Sequence, residues 1–290
     1  MSSSIAEIIL QASHKLRKAG VPEARREAGS LLAFVLERDR SFILSHAEDT
    51  ISEEQAERFL ESVERRAQGE PLQYITGHQE FFGLDFEVSP SVLIPRPETE
   101  LLIETALSLV RNSGDDVFIC DVGTGSGCVV VTLLHELPRA RAVAIDISAA
   151  ALEVARRNAA RQATGERVAF VLSDGFSSLD QTDPRQSNFN LIVSNPPYVE
   201  EGAIAGLQRE VRDFEPRAAL AAGVDGLEVI RRLLLEAGNF LAPGGYFVFE
   251  FGFDQAAAVE QLIDPKIWRL LAIHKDLQGI ERTVALQKLS

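Results

Sequence analysis

Cysteine is scarce: the 290 residues hold two, Cys120 and Cys128, too few for the disulfide framework of a small secreted domain. The pair flanks a glycine-rich turn, one on an expected strand and one at a helix start. A disulfide would cap that turn, but free thiols in a reducing compartment are expected. Long apolar runs are missing too. The longest, Val122 to Leu134, is short and glycine-rich, which excludes a membrane-spanning helix. The opening Met1-Ser2-Ser3-Ser4 runs straight into an amphipathic pattern carrying Glu7, Lys15, Arg17 and Lys18. It lacks the apolar core of a secretory signal, so a cytoplasmic protein is expected. His14, His46, His78, His135 and His274 are scattered, without the H-x-x-x-H or C-x-x-C spacing that grips zinc, and no metal site is expected. Positive charge is in deficit, 29 Lys and Arg against 43 Asp and Glu for a formal net charge of −14. Gripping phosphates through counterion release takes a concentrated basic surface, so the deficit disfavours tight nucleic-acid binding.

What remains is an ordinary globular composition, 46% hydrophobic and 25% charged. At roughly 150 residues per domain the length suggests two domains or one large α/β unit. From Ile5 to Gln68 the apolar spacing is helical. Ile5, Ile8, Ile9, Ala12 and Leu16 form one stripe, Gly20 is placed to end it, and Pro22 suits the first turn of a second helix carrying Ala28, Leu31, Leu32 and Val35. A short helical segment around Ser41 to His46 follows. Ser52 and Gln55 make a capping box for a further helix, whose expected buried face is Ala56, Phe59, Leu60 and Val63. Next, Phe82, Leu84, Phe86 and Val88 alternate with Gly83, Asp85 and Glu87, and Val92-Leu93-Ile94 comes after Ser89-Pro90-Ser91, the pattern of a β-hairpin linker. Pro97 opens a helix to about Val110. Beyond it, strands near 117–122, 141–146, 168–173, 190–194, 245–251, 270–274 and 283–287 and helices near 127–136, 148–160, 226–239 and 255–263 follow the rhythm of a doubly wound sheet.

Asp121-Val122-Gly123-Thr124-Gly125-Ser126-Gly127 joins an apolar strand to a helix, with glycines that permit positive φ and close ligand approach. Asp146 ends the next strand, where an acid accepts hydrogen bonds from a ribose diol. The G-x-G-x-G spacing leaves no room for the half of the dinucleotide fingerprint that admits a pyrophosphate. Asp121 beside the turn would repel phosphate and suit a sulfonium or amino cation. Ribose plus cation without phosphate describes S-adenosylmethionine. Asp174, after the third strand, is placed to accept from the adenine amino group.

The fourth strand runs into Asn195-Pro196-Pro197-Tyr198 at the carboxyl edge, where open sheets bind ligands. Prolines hold that backbone extended and remove amide donors. The Asn195 side-chain oxygen and the Pro196 carbonyl can each take one N–H of a planar amide, fixing its nitrogen for methyl transfer, and Tyr198 would stack on the planar group.

The sequence resembles the release-factor glutamine methyltransferases, the PrmC/HemK family, over nearly its whole length. The resemblance lies in these two motifs, in Tyr74 to Gly77, Glu80 to Leu84, and above all Val92-Leu93-Ile94-Pro95-Arg96-Pro97-Glu98-Thr99-Glu100, and later in Glu215 to Leu220 and Asp225 to Leu227. It implies an α/β fold: a Rossmann-like class I methyltransferase domain with a seven-stranded, mostly parallel sheet, preceded by a small all-α N-terminal bundle and a β-hairpin linker. The expected divisions are a helical substrate-docking domain over 1–75, the linker over 76–96 and the catalytic domain over 97–290. It implies methylation of the glutamine in the Gly-Gly-Gln motif of peptide-chain release factors. Asn195, Pro196 and Tyr198 would be catalytic. Asp121, Gly123, Thr124, Gly125, Gly127, Asp146, Asp174 and Asn195 would bind S-adenosylmethionine. Phe82, Pro95, Arg96, Pro97 and Thr99, with Asn195, Pro196, Pro197 and Tyr198, would receive the substrate. Release factors are the expected partners, with no direct nucleic-acid or membrane contact and a monomeric chain. Two alternatives stand beside it: an amino-methyltransferase that uses the same turn and loop on a flipped adenine or guanine, which the acidic chain disfavours, and a non-catalytic module that binds the cofactor as a sensor or assembles with a translation factor, which the intact Asn195 loop disfavours.

Overall fold

The computed structural model describes residues 4–111 and 116–289, so the first three residues of the expected signal-free start lie outside it. Two compact units emerge, Met1–His78 with Gln208–Phe214, and Gln79–Leu207 with Glu215–Ser290. Among the described residues, no helix is long and apolar enough to cross a membrane.

The first unit is helical, with α1 Ile5–Lys18, α2 Ala24–Leu36, α3 Arg40–Ser45, α4 Glu53–Ala67 and α5 Leu72–Thr76. Capping residues set its boundaries. Ser4 and Glu7 form a reciprocal capping box on α1, and Ser52 and Gln55 form the expected one on α4. Gly20, at φ 85°, follows the end of α1. Pro22 falls outside α2, because Glu23 is the N-cap and the helix begins one residue later. Leu16, Leu31, Leu32, Phe59 and Val63 are fully buried together. Leu60, expected in that core, is 51% exposed. The buried stripe of α4 is instead Phe59, Ser62, Val63 and Arg66. Arg66 turns inward to Glu27 and, at 2.8 Å, to Glu210, which ties the Gln208–Phe214 segment to this unit. A buried guanidinium needs such paired carboxylates to offset its lost hydration.

A two-stranded hairpin follows, β1 His78–Phe81 and β2 Leu84–Glu87, which belongs to the second unit from Gln79 onward. The hairpin is present, but its turn is Phe82-Gly83, not a point farther along the chain. Phe82 and Gly83 have φ of 52° and 75°, the double left-handed pair of a type I′ two-residue turn. Phe82 therefore sits at the tip, off the alternating strand. Its N–H is held by the Glu100 carboxylate at 3.0 Å, a local bond that periodicity cannot reveal. Val92, Leu93 and Ile94 form no strand, since Pro90 and Pro95 bracket them.

A 3-10 turn, Pro97–Thr99, leads into α6 Glu100–Val110, and the alternation follows: β3 Phe118–Val122, α7 Cys128–Glu136, β4 Arg141–Asp146, α8 Ala149–Arg161, β5 Val168–Leu172, β6 Phe189–Ser194, α9 Glu228–Glu236, β7 Leu241–Glu250, α10 Ala256–Leu262, β8 Trp268–Lys275 and β9 Glu281–Lys288. The strands lie in the order β5-β4-β3-β6-β7-β9-β8, with β9 antiparallel to both neighbours. All seven expected strands are in this sheet. Both faces are covered, one core holding Leu102, Ile103, Val130 and Leu133, the other Ile192, Leu233, Phe247 and Trp268. Cys120 and Cys128 are free and buried, and burial pushes both thiols up, Cys128 to about 12.

Asn158 on α8 is fully buried and joins the hairpin to the glycine-rich turn. Its Oδ1 accepts from the Glu87 N–H at 2.7 Å, and its Nδ2 donates to the Glu87 and Ser126 carbonyls at 2.9 and 2.8 Å. Asn158→Ala should cost about 2–4 kcal/mol in urea unfolding, because it strands buried backbone groups. A loss under about 0.5 kcal/mol would mean that these groups find other partners.

Candidate functional site

In a parallel sheet, the residues that end strands collect at one edge. β3 pairs with β4 on one side and β6 on the other. The connections on its two sides diverge there, leaving the crevice in which open α/β sheets bind ligands. A cavity of about 600 Å³ opens at this point, walled by the segments that follow β3, β4, β5 and β6. Of the expected site residues, Asp121, Gly123, Thr124, Gly125, Asp146, Asp174, Pro95, Arg96, Thr99, Asn195, Pro196 and Pro197 line it. Gly127, Phe82, Pro97 and Tyr198 are not among its walls.

The glycine turn is built by backbone bonds. The N–H groups of Gly123 and Thr124 both reach the Ile145 carbonyl, at 2.9 and 3.0 Å. Gly123 and Gly125 adopt φ of 74° and 56°. Gly127, at φ 80°, serves packing, since a Cβ there would lie 3.1 Å from the Ala155 Cβ. The Asp146 carboxylate is clamped beneath the turn by the N–H of Gly125 at 2.9 Å and of Ser148 at 2.8 Å. Each oxygen keeps a lone pair for a ligand hydroxyl. Burial raises its pKa, and those backbone donors oppose the rise.

Asp121 is 1% exposed and accepts from the Thr124 hydroxyl at 2.6 Å. Burial pushes it up to about 7, the Thr124 bond working against the shift and the Asp146 charge adding to it. A cation placed beside it would favour the ionised form. Asp174 is held by Arg232, whose Nη1 donates to its carboxylate at 2.7 Å and Nη2 to its carbonyl at 2.6 Å. Arg232 lines the same cavity. It comes from α9, far along the chain, and nothing in its local sequence marks it.

Asn195 donates from Nδ2 to the Thr99 Oγ1 at 3.0 Å, and Thr99 donates to the Glu250 Oε2 at 2.7 Å. The Tyr198 hydroxyl donates to the other Glu250 oxygen at 3.1 Å, while its ring packs on the core beside α9. Burial raises the Tyr198 pKa, and the charge of Glu250 adds to the rise. Burial also raises Glu250, opposed by the hydrogen bonds from Thr99 and Tyr198 and by the charge of Arg282. The Ser194 hydroxyl reaches back to the Val122 carbonyl at 2.7 Å, locking the ends of β6 and β3 together. Pro97 starts the 3-10 turn that delivers Thr99. Arg96 pairs with Glu215, whose side chain is 1% exposed. Sequence reasoning missed Arg232 and Glu250. For Glu250 a signal existed, an acid ending the apolar run Phe247-Val248-Phe249 at the ligand-binding edge.

Comparisons with known proteins divide the chain in a similar way. A family model described as the PrmC N-terminal domain matches residues 7–77, and one described as a methyltransferase domain matches 113–268. A release factor glutamine methyltransferase of Koribacter versatilis is 44% identical over 274 residues, 94% of each chain. Another, from Nitratidesulfovibrio vulgaris, is 43% identical over 284 residues, 97% of this chain and 94% of that one. The crystal structure of a methyltransferase from Pyrococcus furiosus matches with a TM-score of 0.53 at 19% identity, covering 72% of this chain and 91% of that one. That likeness is one of fold.

The raised Asp121 pKa has a thermodynamic consequence. Between the unfolded value of 3.8 and the folded value of about 7 the folded state holds the extra proton. The penalty is therefore absent below the lower value and grows as pH rises through the window. Asp121→Asn, which keeps an acceptor for Thr124, should match the parent in stability near pH 4 and exceed it at pH 8, by on the order of 4 kcal/mol at most. Thermal unfolding of both proteins across that range checks it; a constant difference would contradict a buried, titrating Asp121.

Proposed function

The chain belongs to the release factor glutamine methyltransferase family, and from that premise we propose how its residues conduct S-adenosylmethionine-dependent methylation of a release-factor glutamine at the side-chain amide nitrogen. The observation that carries this assignment is the shared cavity: Asn195 and Pro196 face the same space as the glycine turn, Asp121 and Asp146. The pocket suits that cofactor. It offers carboxylates to a ribose and to a cation, and a turn of glycines with positive φ for close approach. The turn segment 121–127 contains neither lysine nor arginine to hold a phosphate.

When bound, S-adenosylmethionine supplies an electrophilic methyl group on a sulfonium. Asp146 would accept the ribose hydroxyls, Asp121 would face the cationic end, and Asp174, shared with Arg232, would hold the adenine amino group. An amide nitrogen is a poor nucleophile because its lone pair is delocalised into the carbonyl. The Asn195 Oδ1 and the Pro196 carbonyl each accept one N–H of the glutamine amide, fixing the nitrogen and turning its lone pair toward the methyl group. No strong base is required beforehand, since the methylated nitrogen is acidic and loses its proton afterwards. Pro95, Arg96 and Thr99 border the glutamine. Tyr198 acts from behind through Glu250 instead of stacking on the substrate. The reaction takes place in the cytoplasm, where release factors work. The nucleic-acid alternative is not favoured, because the relatives that align along the chain carry a protein-glutamine name.

Intact-mass measurement of a release factor incubated with enzyme and S-adenosylmethionine should show a gain of one methyl group on the Gly-Gly-Gln glutamine; no gain would refute the assignment. Asn195→Ala, which removes the Oδ1 acceptor, should lower kcat by about 100-fold or more, the scale for losing one transition-state hydrogen bond. Cofactor affinity in calorimetry should stay within about twofold. Turnover near the parent's would make Asn195 structural.

The helical unit carries none of this chemistry, and docking of the release factor is its proposed task. A groove in that unit is lined by the exposed Leu10 and Leu44 together with Arg17, Arg25, Arg26 and Arg40. Leu44→Asp should raise KM for the whole release factor about tenfold while leaving a short Gly-Gly-Gln peptide within about twofold, since only the factor has remote surface to lose. Equal losses on both substrates would remove the docking role from this groove.

A further inference from the structure

We infer that Glu250 is a positioning residue which, through Thr99, sets the face that the Asn195 amide turns toward the reacting glutamine. The inference rests on the methyl-transfer assignment above and extends it to a residue outside the cavity wall. Glu250 ends β7 at the carboxyl edge of the sheet, where β3 and β6 also end, and is 1% exposed. A carboxylate in that place is costly unless its oxygens are occupied. Two hydroxyls occupy them, Thr99 at 2.7 Å and Tyr198 at 3.1 Å.

The direction of these bonds has a consequence two residues away. A carboxylate only accepts, and a hydroxyl has a single proton. Once Thr99 gives its proton to Glu250, only lone pairs of Oγ1 remain to face Asn195. The Asn195 amide can then meet Thr99 only with its nitrogen, as it does at 3.0 Å. Its oxygen is left as the acceptor on the other side of the group. A side-chain amide has nearly the same shape when turned by half a rotation, so packing alone hardly distinguishes the two states. Turned the wrong way, Asn195 would offer N–H to the N–H of the substrate amide, and the acceptor that holds the reacting nitrogen would be gone. Glu250 thus fixes an orientation that shape leaves open, and it does so by the polarity of a two-bond chain.

A glutamine at position 250 removes that polarity while keeping the volume. Its amide nitrogen can donate to Thr99, which then donates to the Asn195 oxygen and turns the group over. Thr99→Val cuts the chain at its middle without changing shape. The test measures kcat and KM on a Gly-Gly-Gln peptide and cofactor Kd by calorimetry for the parent, Glu250→Gln, Thr99→Val and the double variant, after thermal unfolding shows which are folded. Each single change should lower kcat by about 30-fold or more with cofactor Kd within about twofold. The double variant should be no worse than about threefold below the poorer single, because both break one chain. A double loss near the product of the single losses would overturn the inference, as would Thr99→Val with kcat within about threefold of the parent; the latter decides the matter if Glu250→Gln does not fold. A parent protein that leaves the peptide and the whole release factor unmethylated would instead bring down the assignment on which this inference rests, and the inference with it.

Discussion

The parallel pairing of β3 with β4 on one side and β6 on the other governs everything that follows in the catalytic unit. Chain connections that diverge around β3 leave its carboxyl end and that of β6 uncovered by crossover helices. Residues ending these strands would otherwise carry exposed peptide groups, and the structure uses those groups to build the site. The Ile145 carbonyl takes two N–H groups of the glycine turn, and the Val122 carbonyl takes the Ser194 hydroxyl. The ends of three strands are thereby fixed to one another by short bonds, so that side chains more than seventy positions apart in the chain face one cavity.

Within that cavity, negative charge is concentrated where water is scarce. Asp121 and Asp146 both have raised pKa values through burial, and the Asp146 charge adds to the shift of Asp121. Such an arrangement costs stability in the absence of a cation and favours binding in its presence, because a positive group nearby reverses the sign of the local interaction. Of the two arginines among the described residues that line the cavity, Arg96 is paired with Glu215, and Arg232 is already engaged with Asp174 and Glu236. It braces the rim.

Two small polar networks give the apolar scaffold its orientation. Asn158 satisfies both peptide groups of Glu87 and the Ser126 carbonyl, fixing the hairpin against the turn. The Asn195, Thr99, Glu250 and Tyr198 chain fixes the loop that follows β6. Hydrophobic burial is non-directional and tolerates a rotation of the buried groups. Hydrogen bonds to buried partners do not tolerate it, because a misdirected donor pays the full desolvation penalty.

The sequence by itself determined the elements and the two motifs. Apolar periodicity located seven strands and the principal helices, since it reflects which side of an element meets the core. The glycine spacing and Asp146 pointed to the cofactor class, and Asn195-Pro196 to the chemistry, because each is read from a strand end and the spacing between consecutive strands. Tertiary structure decided what depends on chain segments far apart. It turned Leu60 outward and Arg66 inward, because the carboxylates of Glu27 and Glu210 lie beside α4. It set Phe82 at a hairpin tip under the hold of Glu100 and took Tyr198 out of the cavity to meet Glu250. It also brought Arg232 to Asp174 across 58 positions and Glu250 to Thr99 across 151. Local periodicity carries no information about such partners, because a side chain's direction at a site is fixed by the donor or acceptor it meets there, and that partner is supplied by the fold.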